Sequence, residues 1–379
     1  MKVTDVKSYV VDRREKQLWQ NPSSYVFVKL ETDRGIVGWG EATLESKELS
    51  VVGAIQELAK NVVGQNPLDI EHHQRTWQMT SPWKGVTDST AMSALEHAMW
   101  DIAGKAYEAP VHRLLGGPVR DRMRAYTWPH PYETPEQCGQ VAAACVEKLG
   151  FTALKFDPFR DEFFTISPDG LDHALRCMRA VREAVGDRAD VAVDGHWRFG
   201  PLAAIQIARA LEPIGLLFFE EPCPTEHPEM LARVRAAVKV PLATGERHYN
   251  RSDVWPLLRD NLVDVLQCDV CHCGGILELR KIAAMAEPFG VTMAPHNPNG
   301  PVSLAAVVQF AACTPNFLLT ESVHGRPIDD AIAPRRPRVE GGYVELPTEP
   351  GLGIELDEAA LLERPGEQAD IWFPPKVVY

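Results

Sequence analysis

The chain has 379 residues, a formal net charge of −13 at pH 7 and 45% hydrophobic residues. That length exceeds one ordinary protein core, so we expect two domains or one large α/β barrel with an accessory unit. The acidic balance and the absence of a Lys/Arg stripe argue against a nucleic-acid partner. No apolar run reaches the roughly 18 residues of a membrane span, and the first residues, MKVTDVKSYVV, alternate as a strand does. We therefore expect a cytoplasmic protein without a membrane partner.

Residues 1–121 predict a small α+β unit that caps the rest of the chain. Three strand patterns and two helical patterns follow one another in this unit, at 2–12, 23–32, 35–42, 46–64 and 88–107. Loops around 15–25 and 75–90 are expected to determine substrate specificity. Trp19, in the first of these loops, is expected to contact the substrate.

From residue 122 onwards, apolar strand patterns alternate with helical patterns. The eight strand patterns lie at 122–128, 153–157, 190–194, 216–221, 241–246, 263–269, 291–296 and 316–321. Strand–helix alternation produces parallel strands, and eight of them predict a closed barrel over 122–322. An open doubly wound sheet is the structural alternative, but no GxGxxG follows the first strand and no Walker A sequence occurs.

The chain after Glu321 becomes polar and rich in Pro and Arg, so an eighth barrel helix is not expected. The sequence therefore predicts an α/β fold, a TIM-like (β/α)7β barrel. The last segment, 323–379, has strand and turn character and is expected to return to the N-terminal unit, so that both together form the α+β cap.

Three consecutive barrel strands end in an acidic residue, namely Asp194, Glu220 and Glu246, spaced 26 residues apart. The carboxyl ends of barrel strands carry the active site in this architecture. Three converging carboxylates repel one another unless a cation neutralises them, and Mg²⁺ is the natural oxygen-liganded ion. Of the neighbours Glu220 and Glu221, alternation along the strand places only one inward, and Glu220 keeps the spacing.

The next three strands end in Asp269, His296 and Glu321. An acid and an imidazole at adjacent strand ends can hydrogen-bond, and the acid then raises the basicity of the ring. Asp269 and His296 therefore form a candidate general base.

Two earlier strands add further candidates. His196 follows Asp194 by two residues and is a candidate second acid or base, while Lys155 and Asp157 share one face of the second strand. Lys155 can also be a simple counter-ion among acids, and a strand-end histidine can be a simple loop residue. We expect Asp157 and His130, just past the first strand, to contact the substrate.

Eight cysteines occur in a chain too long to need a disulfide scaffold, so reduced and mostly buried thiols are expected. The segment QCDVCHCGG places Cys268, Cys271, His272 and Cys273 within six residues, which raises the alternative of a zinc site. Cys-x-Cys in a strand, however, directs both side chains to one face rather than around a tetrahedron.

Taken in order, these segments resemble the enolase superfamily, in its mandelate racemase-like branch. The closest resemblance is to the acid sugar dehydratases of the D-galactonate dehydratase group. It covers nearly the whole chain and is carried by the segments GIVGWGEA, SALEHAMWDIAGKAYEAPVHRLLGG, VDGH, FFEEP, ATGER, QCDVCHCGGI, MAPHNPNGP, LTES and PGLGIELDE.

The resemblance implies roles for the strand-end residues. Mg²⁺ binding is implied for Asp194, Glu220 and Glu246. His296, with Asp269, is implied to remove the proton α to a carboxylate. His196 is implied to act as an acid on the departing 3-hydroxyl. Glu321 is implied to hydrogen-bond the enediolate, with Lys155 assisting. Family members are commonly dimers or octamers, so a homo-oligomer is expected.

One departure from the family pattern concerns the second strand. Many relatives carry Lys-x-Lys there, with the second lysine as a base, whereas this chain has Lys155-Phe156-Asp157. The change argues against a two-base racemase. The expected reaction is Mg²⁺-dependent dehydration of a sugar acid, an aldonate such as D-galactonate, to a 2-keto-3-deoxy acid by a hydro-lyase. A cycloisomerase of an anhydro sugar acid or lactone and a catalytically inactive metabolite-binding homologue remain as alternatives, and the particular sugar acid stays open.

Overall fold

The computed structural model describes residues 1–13, 24–80, 85–130, 132–323 and 326–367, so Trp19 lies outside the described residues. The strands are β1 (Val3–Asp12), β2 (Ser24–Thr32), β3 (Val37–Glu41), β4 (Arg122–Tyr126), β5 (Ala153–Phe156), β6 (Asp190–Asp194), β7 (Phe219–Glu220), β8 (Leu242–Thr244), β9 (Val265–Leu266), β10 (Thr292–Met293), β11 (Thr320–Glu321), β12 (Val339–Glu340) and β13 (Tyr343–Glu345). The helices are α1 (Glu48–Val62), α2 (Ile70–Thr80), α3 (Val86–Ala106), α4 (Val111–Leu114), α5 (Pro135–Leu149), α6 (Pro168–Val185), α7 (Pro201–Leu211), α8 (Pro228–Arg235), α9 (Arg251–Arg259), α10 (Ile276–Ala286), α11 (Pro301–Ala312), α12 (Pro327–Ile332) and α13 (Glu358–Leu362).

The cap is an antiparallel sheet in the order β1-β2-β3 with helix α3 packed closely against it. Two glycines of β3 allow this close packing. A side chain at Gly40 would come within 1.9 Å of the Ala94 carbonyl oxygen, and one at Gly38 within 2.1 Å of the Ala98 oxygen. Glu41 follows Gly40 directly, so alternation along the strand directs its side chain to the face opposite helix α3.

The barrel consists of eight parallel strands that close into a ring. Strands β5 to β10 are hydrogen-bonded in sequence order, and β11 pairs in parallel with β4. Single bridges complete the ring, Thr127 with Leu154 between β4 and β5 and Met293 with Phe317 between β10 and β11. Helices α5 to α11 follow the first seven strands, which confirms the predicted (β/α)7β barrel.

An apolar layer fills the barrel just below its carboxyl end. Several of its members precede a polar strand-end residue by two positions, so they share that residue's inward face. The layer consists of Tyr126, Ala153, Ala192, Phe218, Ala243, Val265, Ala294 and Leu319. The polar residues therefore lie directly against an apolar layer, where their charges are poorly screened.

One segment differs from the sequence-based expectation. Part of the 75–90 stretch expected to be a loop is helical, because α2 extends to residue 80 and α3 begins at residue 86. In α2, Ile70, Gln74 and Trp77 are buried at helical spacing. The expectation that the eighth barrel helix is missing or reduced holds, since the helix that comes next after β11 in the described residues, α12, has six residues.

The C-terminal segment contacts both the barrel and the cap. β13 pairs antiparallel with the first barrel strand, with Val344 opposite Met123. Farther on, Pro365 forms a β-bridge with Val11 of β1. Glu358 forms an ion pair with Lys29 of β2, with 2.7 Å between Oε2 and Nζ. The described residues 326–367 thus first extend the barrel sheet and then contact the cap. No helix in the described ranges is long and apolar enough to cross a membrane.

Candidate active site

Polar side chains at the carboxyl ends of the barrel strands converge on the ammonium group of Lys155, which is buried on β5. Its Nζ lies 3.0 Å from Asp194 Oδ2, 2.7 Å from Glu220 Oε1 and 3.1 Å from Glu321 Oε1. Asp194 and Glu220 are direct neighbours across β6 and β7. In this arrangement Lys155 is the counter-ion of three carboxylates, which offsets their mutual repulsion.

The neighbours Glu220 and Glu221 are both buried but point to different places. Glu220 contacts Lys155 and accepts a 2.7 Å hydrogen bond from the Gln267 side chain. Glu221 instead accepts hydrogen bonds from the Thr244 hydroxyl and the Gly245 amide. Glu220 is therefore the one directed to the shared centre.

The carboxylates differ in how easily they hold a charge. Burial raises the pKa of Glu220 well above its usual range, and the charge of Asp194 raises it further. Burial also raises the pKa of Glu246. Asp194 is buried as well, yet the positive charges of His196 and Lys155 hold its pKa well below the usual range. A cation bound beside these groups would counteract both causes, because it favours the charged form of a carboxylate.

The donor chemistry of Asp194, Glu220 and Glu246 fits a hard divalent cation, because all three offer carboxylate oxygens at consecutive strands. In this structure the three carboxylates do not surround a common point. Among the described residues, no group of three acidic, imidazole or thiol side chains is close enough together to hold a metal ion. Asp194 and Glu220 contact Lys155 instead.

His296, beyond the end of β10, forms an imidazole–carboxylate pair with Asp269. Its Nδ1 donates to Asp269 Oδ2 over 2.8 Å, and its Nε2 lies 3.5 Å from Glu246 Oε2 and 4.0 Å from Glu321 Oε2. Burial lowers the pKa of His296, but the carboxylates of Glu246 and Asp269 outweigh burial and raise it to about 10. Nε2 is thus the nitrogen that faces the centre of the site.

Asp269 itself is completely buried and held by neutral donors. The Cys271 amide donates to Oδ1 over 2.7 Å, and the Asn299 side chain donates to Oδ2 over 2.8 Å. These bonds fix the direction of the carboxylate, which in turn fixes the His296 ring.

A second imidazole–carboxylate pair joins His196 to Asp157. Asp157 Oδ2 accepts from His196 Nδ1 over 2.8 Å, and its other oxygen accepts from Arg198 over 2.6 Å. Burial lowers the pKa of His196, but the charges of Asp194 and Asp157 outweigh burial and raise it to about 9. Asp157 thus orients the His196 ring, and its expected contact with the substrate stays a prediction. The adjacent strand ends of β5 and β6 were the signal that could have revealed this pair.

The two pairs face each other across the barrel. His196 follows β6 and His296 follows β10, which are four positions apart in the ring of eight strands. Asp157 and Asp269 follow β5 and β9, also four positions apart. A ligand at the centre is therefore placed between two imidazoles, one on either face, which suits proton removal at one atom and proton delivery at another.

The remaining expected contact lies at the edge of this centre. His130 is exposed, and its ring lies 5.3 Å from that of Trp128, which in turn lies 5.3 Å from the His196 ring. Trp128 is thus one link between His130 and the site. Its contact with substrate stays a prediction.

The cysteine cluster belongs to the core. Cys268, Cys271 and Cys273 are buried and unbonded to one another. His272 directs its Nδ1 to the Thr90 hydroxyl, 3.0 Å away, and its Nε2 towards Asp269, 3.6 Å away. His272 thus contacts the cap and Asp269.

Comparison with protein families divides the chain at the same place as the fold. Residues 19–116 match the mandelate racemase / muconate lactonizing enzyme N-terminal domain, and residues 137–360 match the enolase C-terminal domain-like family. The fold and the polar centre define a capped (β/α)7β barrel of this kind. The chain belongs to the mandelate racemase branch of the enolase superfamily, which confirms the resemblance seen in its motifs.

Curated relatives extend over nearly the whole chain. A D-galactonate dehydratase from Variovorax paradoxus is 35% identical over 370 residues, covering 96% of this chain and 94% of that protein. A D-galactonate dehydratase from Ralstonia pickettii is 35% identical over 362 residues, with 93% and 94% covered.

Solved structures agree with the fold along its full length. A mandelate racemase/muconate lactonizing enzyme-like protein from Roseovarius sp. superimposes with a TM-score of 0.91 at 38% identity, covering 97% of this chain and 96% of that one. A mandelate racemase/muconate lactonizing enzyme from Jannaschia sp. gives 0.92 at 33% identity, with 98% and 100% covered.

Proposed function

We propose that the protein is a Mg²⁺-dependent acid sugar dehydratase that converts an aldonate such as D-galactonate into a 2-keto-3-deoxy acid. The observation that carries the proposal is the placement of two imidazole–carboxylate pairs half a turn apart around Lys155 and Glu321. Relatives named D-galactonate dehydratase, which match this chain over almost all of its length, support the substrate class.

The metal would be held by Asp194, Glu220 and Glu246. When bound there, Mg²⁺ would supply positive charge for the carboxylate of the substrate, whose α proton is otherwise too weakly acidic for an imidazole to remove. Lys155, within 3.1 Å of Glu321, adds a second positive charge to the same centre.

Proton removal is assigned to His296. Its Nε2 faces the centre, and its Nδ1 hydrogen bond to Asp269 keeps the ring oriented and stabilises the imidazolium that forms. The electron pair of the broken C–H bond moves into the substrate to form an enediolate. Glu321, whose carboxylate is fixed by a 3.1 Å hydrogen bond from the Asn297 amide, lies beside that position.

Loss of the hydroxyl is assigned to His196 on the opposite face. Its charged form, favoured by Asp194 and Asp157, donates a proton to the departing 3-hydroxyl as the enediolate electrons break the C–O bond. Water leaves, and the resulting enol tautomerises to the 2-keto-3-deoxy acid. In each turnover His296 gains one proton and His196 loses one. Proton exchange with solvent then returns both histidines to their starting protonation states.

The test is incubation of the purified protein with a panel of sugar acids and Mg²⁺, followed by a keto-acid assay and NMR. We expect a 2-keto-3-deoxy product from at least one aldonate and its loss with chelator. Isomerisation without loss of water would instead identify a cycloisomerase of an anhydro sugar acid or lactone. Absence of turnover across the panel would contradict the proposal in favour of an inactive metabolite-binding homologue.

We also propose a cytoplasmic homo-oligomer. The proposal rests on the composition of the chain and on the oligomers common in its family. Light scattering on the purified protein measures its mass directly, and a mass near 42.1 kDa would contradict the oligomer.

A further inference from the structure

Two barrel helices near the His296–Asp269 pair begin without a cap from their own residues. Helix α10 starts after Gly275 and α11 after Gly300, and glycine has no side chain to accept from the first helical amides. The first amides of a helix have no partner within the helix, so buried ones need an acceptor from elsewhere.

Carboxylates of the cap supply these acceptors. Glu96 of α3 accepts from the Ile276 amide over 2.9 Å and from the Leu277 amide over 2.8 Å. Glu41 of β3 accepts from the Gly300 amide over 2.6 Å and from the Ser303 amide over 2.8 Å. A carboxylate at a helix N-terminus also interacts favourably with the helix dipole.

Gly275 and Gly300 leave the space that the carboxylates of Glu96 and Glu41 occupy. A Cβ at Gly275 would lie 2.2 Å from Glu96 Oε2, and one at Gly300 would lie 2.7 Å from Glu41 Oε1. Only a residue without a side chain leaves room for the carboxylate at each helix start. Cap and barrel are therefore matched in two places.

The start of α11 connects to the imidazole–carboxylate pair through neighbouring residues. Asn299, immediately before Gly300, donates to Asp269 over 2.8 Å. In α11, the Ser303 hydroxyl donates to Asn297 Oδ1 over 2.6 Å, and Asn297 is the residue next to His296.

The loop between Asp269 and α10 is held by the same helix that carries Glu96. The Ser93 hydroxyl accepts from the Gly274 amide over 2.9 Å, and Ser89 donates to the His272 carbonyl over 2.5 Å. Ser89, Ser93 and Glu96 are four and three residues apart, so they lie on one face of α3. That face binds the loop backbone from 272 to 277.

We infer that Glu41 and Glu96 are positioning residues that set the direction of the Asp269–His296 pair from the cap. The inference rests on the proposed function in assigning proton removal to that pair. The pair on the opposite face is held from within the barrel, since Asp157 accepts from Arg198 and from the Phe159 amide. Loss of a cap carboxylate therefore affects proton removal by His296 and leaves the orientation of His196 unchanged.

The test compares Glu41→Gln and Glu96→Gln with Glu358→Gln, a matched change at a partly exposed cap carboxylate that binds Lys29. Glutamine keeps the size of the side chain but loses one of the two accepting oxygens. The first readout needs no substrate: the low-field proton NMR signal of His296 Nδ1, assigned by its absence in His296→Asn. We expect this signal to shift or broaden in Glu41→Gln and Glu96→Gln and to stay unchanged in Glu358→Gln.

The second readout is exchange of the α proton of the substrate with D₂O. We expect kcat for exchange to fall about 10- to 100-fold in both cap variants, with KM changed by less than about 3-fold, because misplacement of a catalytic group affects the reaction more than binding. An unchanged NMR signal together with normal exchange would overturn the inference. If the wild-type protein turns over no sugar acid, the proposed function fails. The NMR signal of His296 then still tests whether Glu41 and Glu96 orient the Asp269–His296 pair.

A milder variant keeps the test decisive if a glutamine variant does not fold. Ser303→Ala removes the hydroxyl bond to Asn297 and leaves the Ser303 amide bound to Glu41. We expect a shift of the His296 signal in the same direction as in Glu41→Gln. An unchanged signal in this folded variant would count against the inference.

Discussion

The two imidazole–carboxylate pairs stand half a turn apart on the ring of strands, and different groups hold their carboxylates. Asp269 is completely buried and accepts from the Cys271 amide and the Asn299 side chain, both neutral. Asp157 accepts from the Arg198 guanidinium, so a full positive charge lies against it at 2.6 Å. The same two residue types are therefore placed in different electrostatic surroundings.

Carboxylates raise the pKa of both imidazoles against the opposing effect of burial. The pKa of His296 rises to about 10, first through the charge of Glu246 and then through the hydrogen bond to Asp269. The pKa of His196 rises to about 9, first through the charge of Asp194 and then through the hydrogen bond to Asp157. The roles proposed for the two rings therefore rest on their placement four strands apart.

The largest effect is expected from His296→Asn, which removes the base. Dehydration and α-proton exchange in D₂O should both fall by about 10²–10⁴-fold, because proton transfer from carbon has no other acceptor on that face. Exchange is measured by NMR and dehydration by the keto-acid assay. His72→Asn, at an exposed histidine of α2, is the control. Normal dehydration by His296→Asn would contradict the assignment of the base.

His196→Asn should separate the two steps. Dehydration is expected to fall by about 10²–10³-fold because the 3-hydroxyl loses its proton donor, while α-proton exchange continues. The two rates are measured in the same D₂O sample. Loss of exchange together with dehydration would show that His196 acts on the first step, and the two faces would then not have separate roles.

The carboxylates give a matched pair of smaller changes. Asp269→Asn should lower both exchange and dehydration by about 10- to 100-fold, since the His296 ring loses its orientation and its counter-charge. Asp157→Asn should lower dehydration alone, by roughly 10-fold, because Arg198 already shares that carboxylate. Equal effects of both variants on exchange would remove the distinction between the pairs.

The smallest effect concerns stability and tests the cap side of the comparison. Burial raises the pKa of Glu96 to about 8, although the Leu277 amide and the Lys281 charge lower it. The folded protein therefore holds this proton more tightly than the unfolded chain does, so its free energy of unfolding should fall as pH rises from about 4.5 through 8. Glu96→Gln lacks this contribution. Urea unfolding at pH 5 and pH 8.5 measures the free energy of unfolding of both proteins. The value for wild type minus that for Glu96→Gln should be smaller at pH 8.5, and an equal difference at both pH values would contradict this prediction.

Much of the barrel follows from local patterns in the sequence. Strands such as Asp190–Asp194 end an apolar run with a polar residue, and regular spacing then places Asp194 and Glu220 side by side without any knowledge of distant contacts. Helix α2 was missed because its sequence, IEHHQRTWQMT, is polar overall. Its buried Ile70, Gln74 and Trp77 are nevertheless spaced as on one helix face.

Interactions between distant segments could not be read in the same way. Glu41 and Glu96 look like ordinary residues of a cap strand and a cap helix. Their binding to Gly300 and Ile276 depends on how the cap is placed on the barrel, which no local pattern encodes.

The pairing of β13 with β4 has a consequence for how the chain is completed during synthesis. Tyr343 pairs with Arg124, about 220 residues earlier in the chain. At the usual elongation rates of about 5–20 residues per second, the first barrel strand waits roughly 10 to 45 s for this neighbour to emerge from the ribosome. During that time the backbone groups of β4 that later bond to β13 lack this partner, and an unpaired strand edge is where another chain can pair.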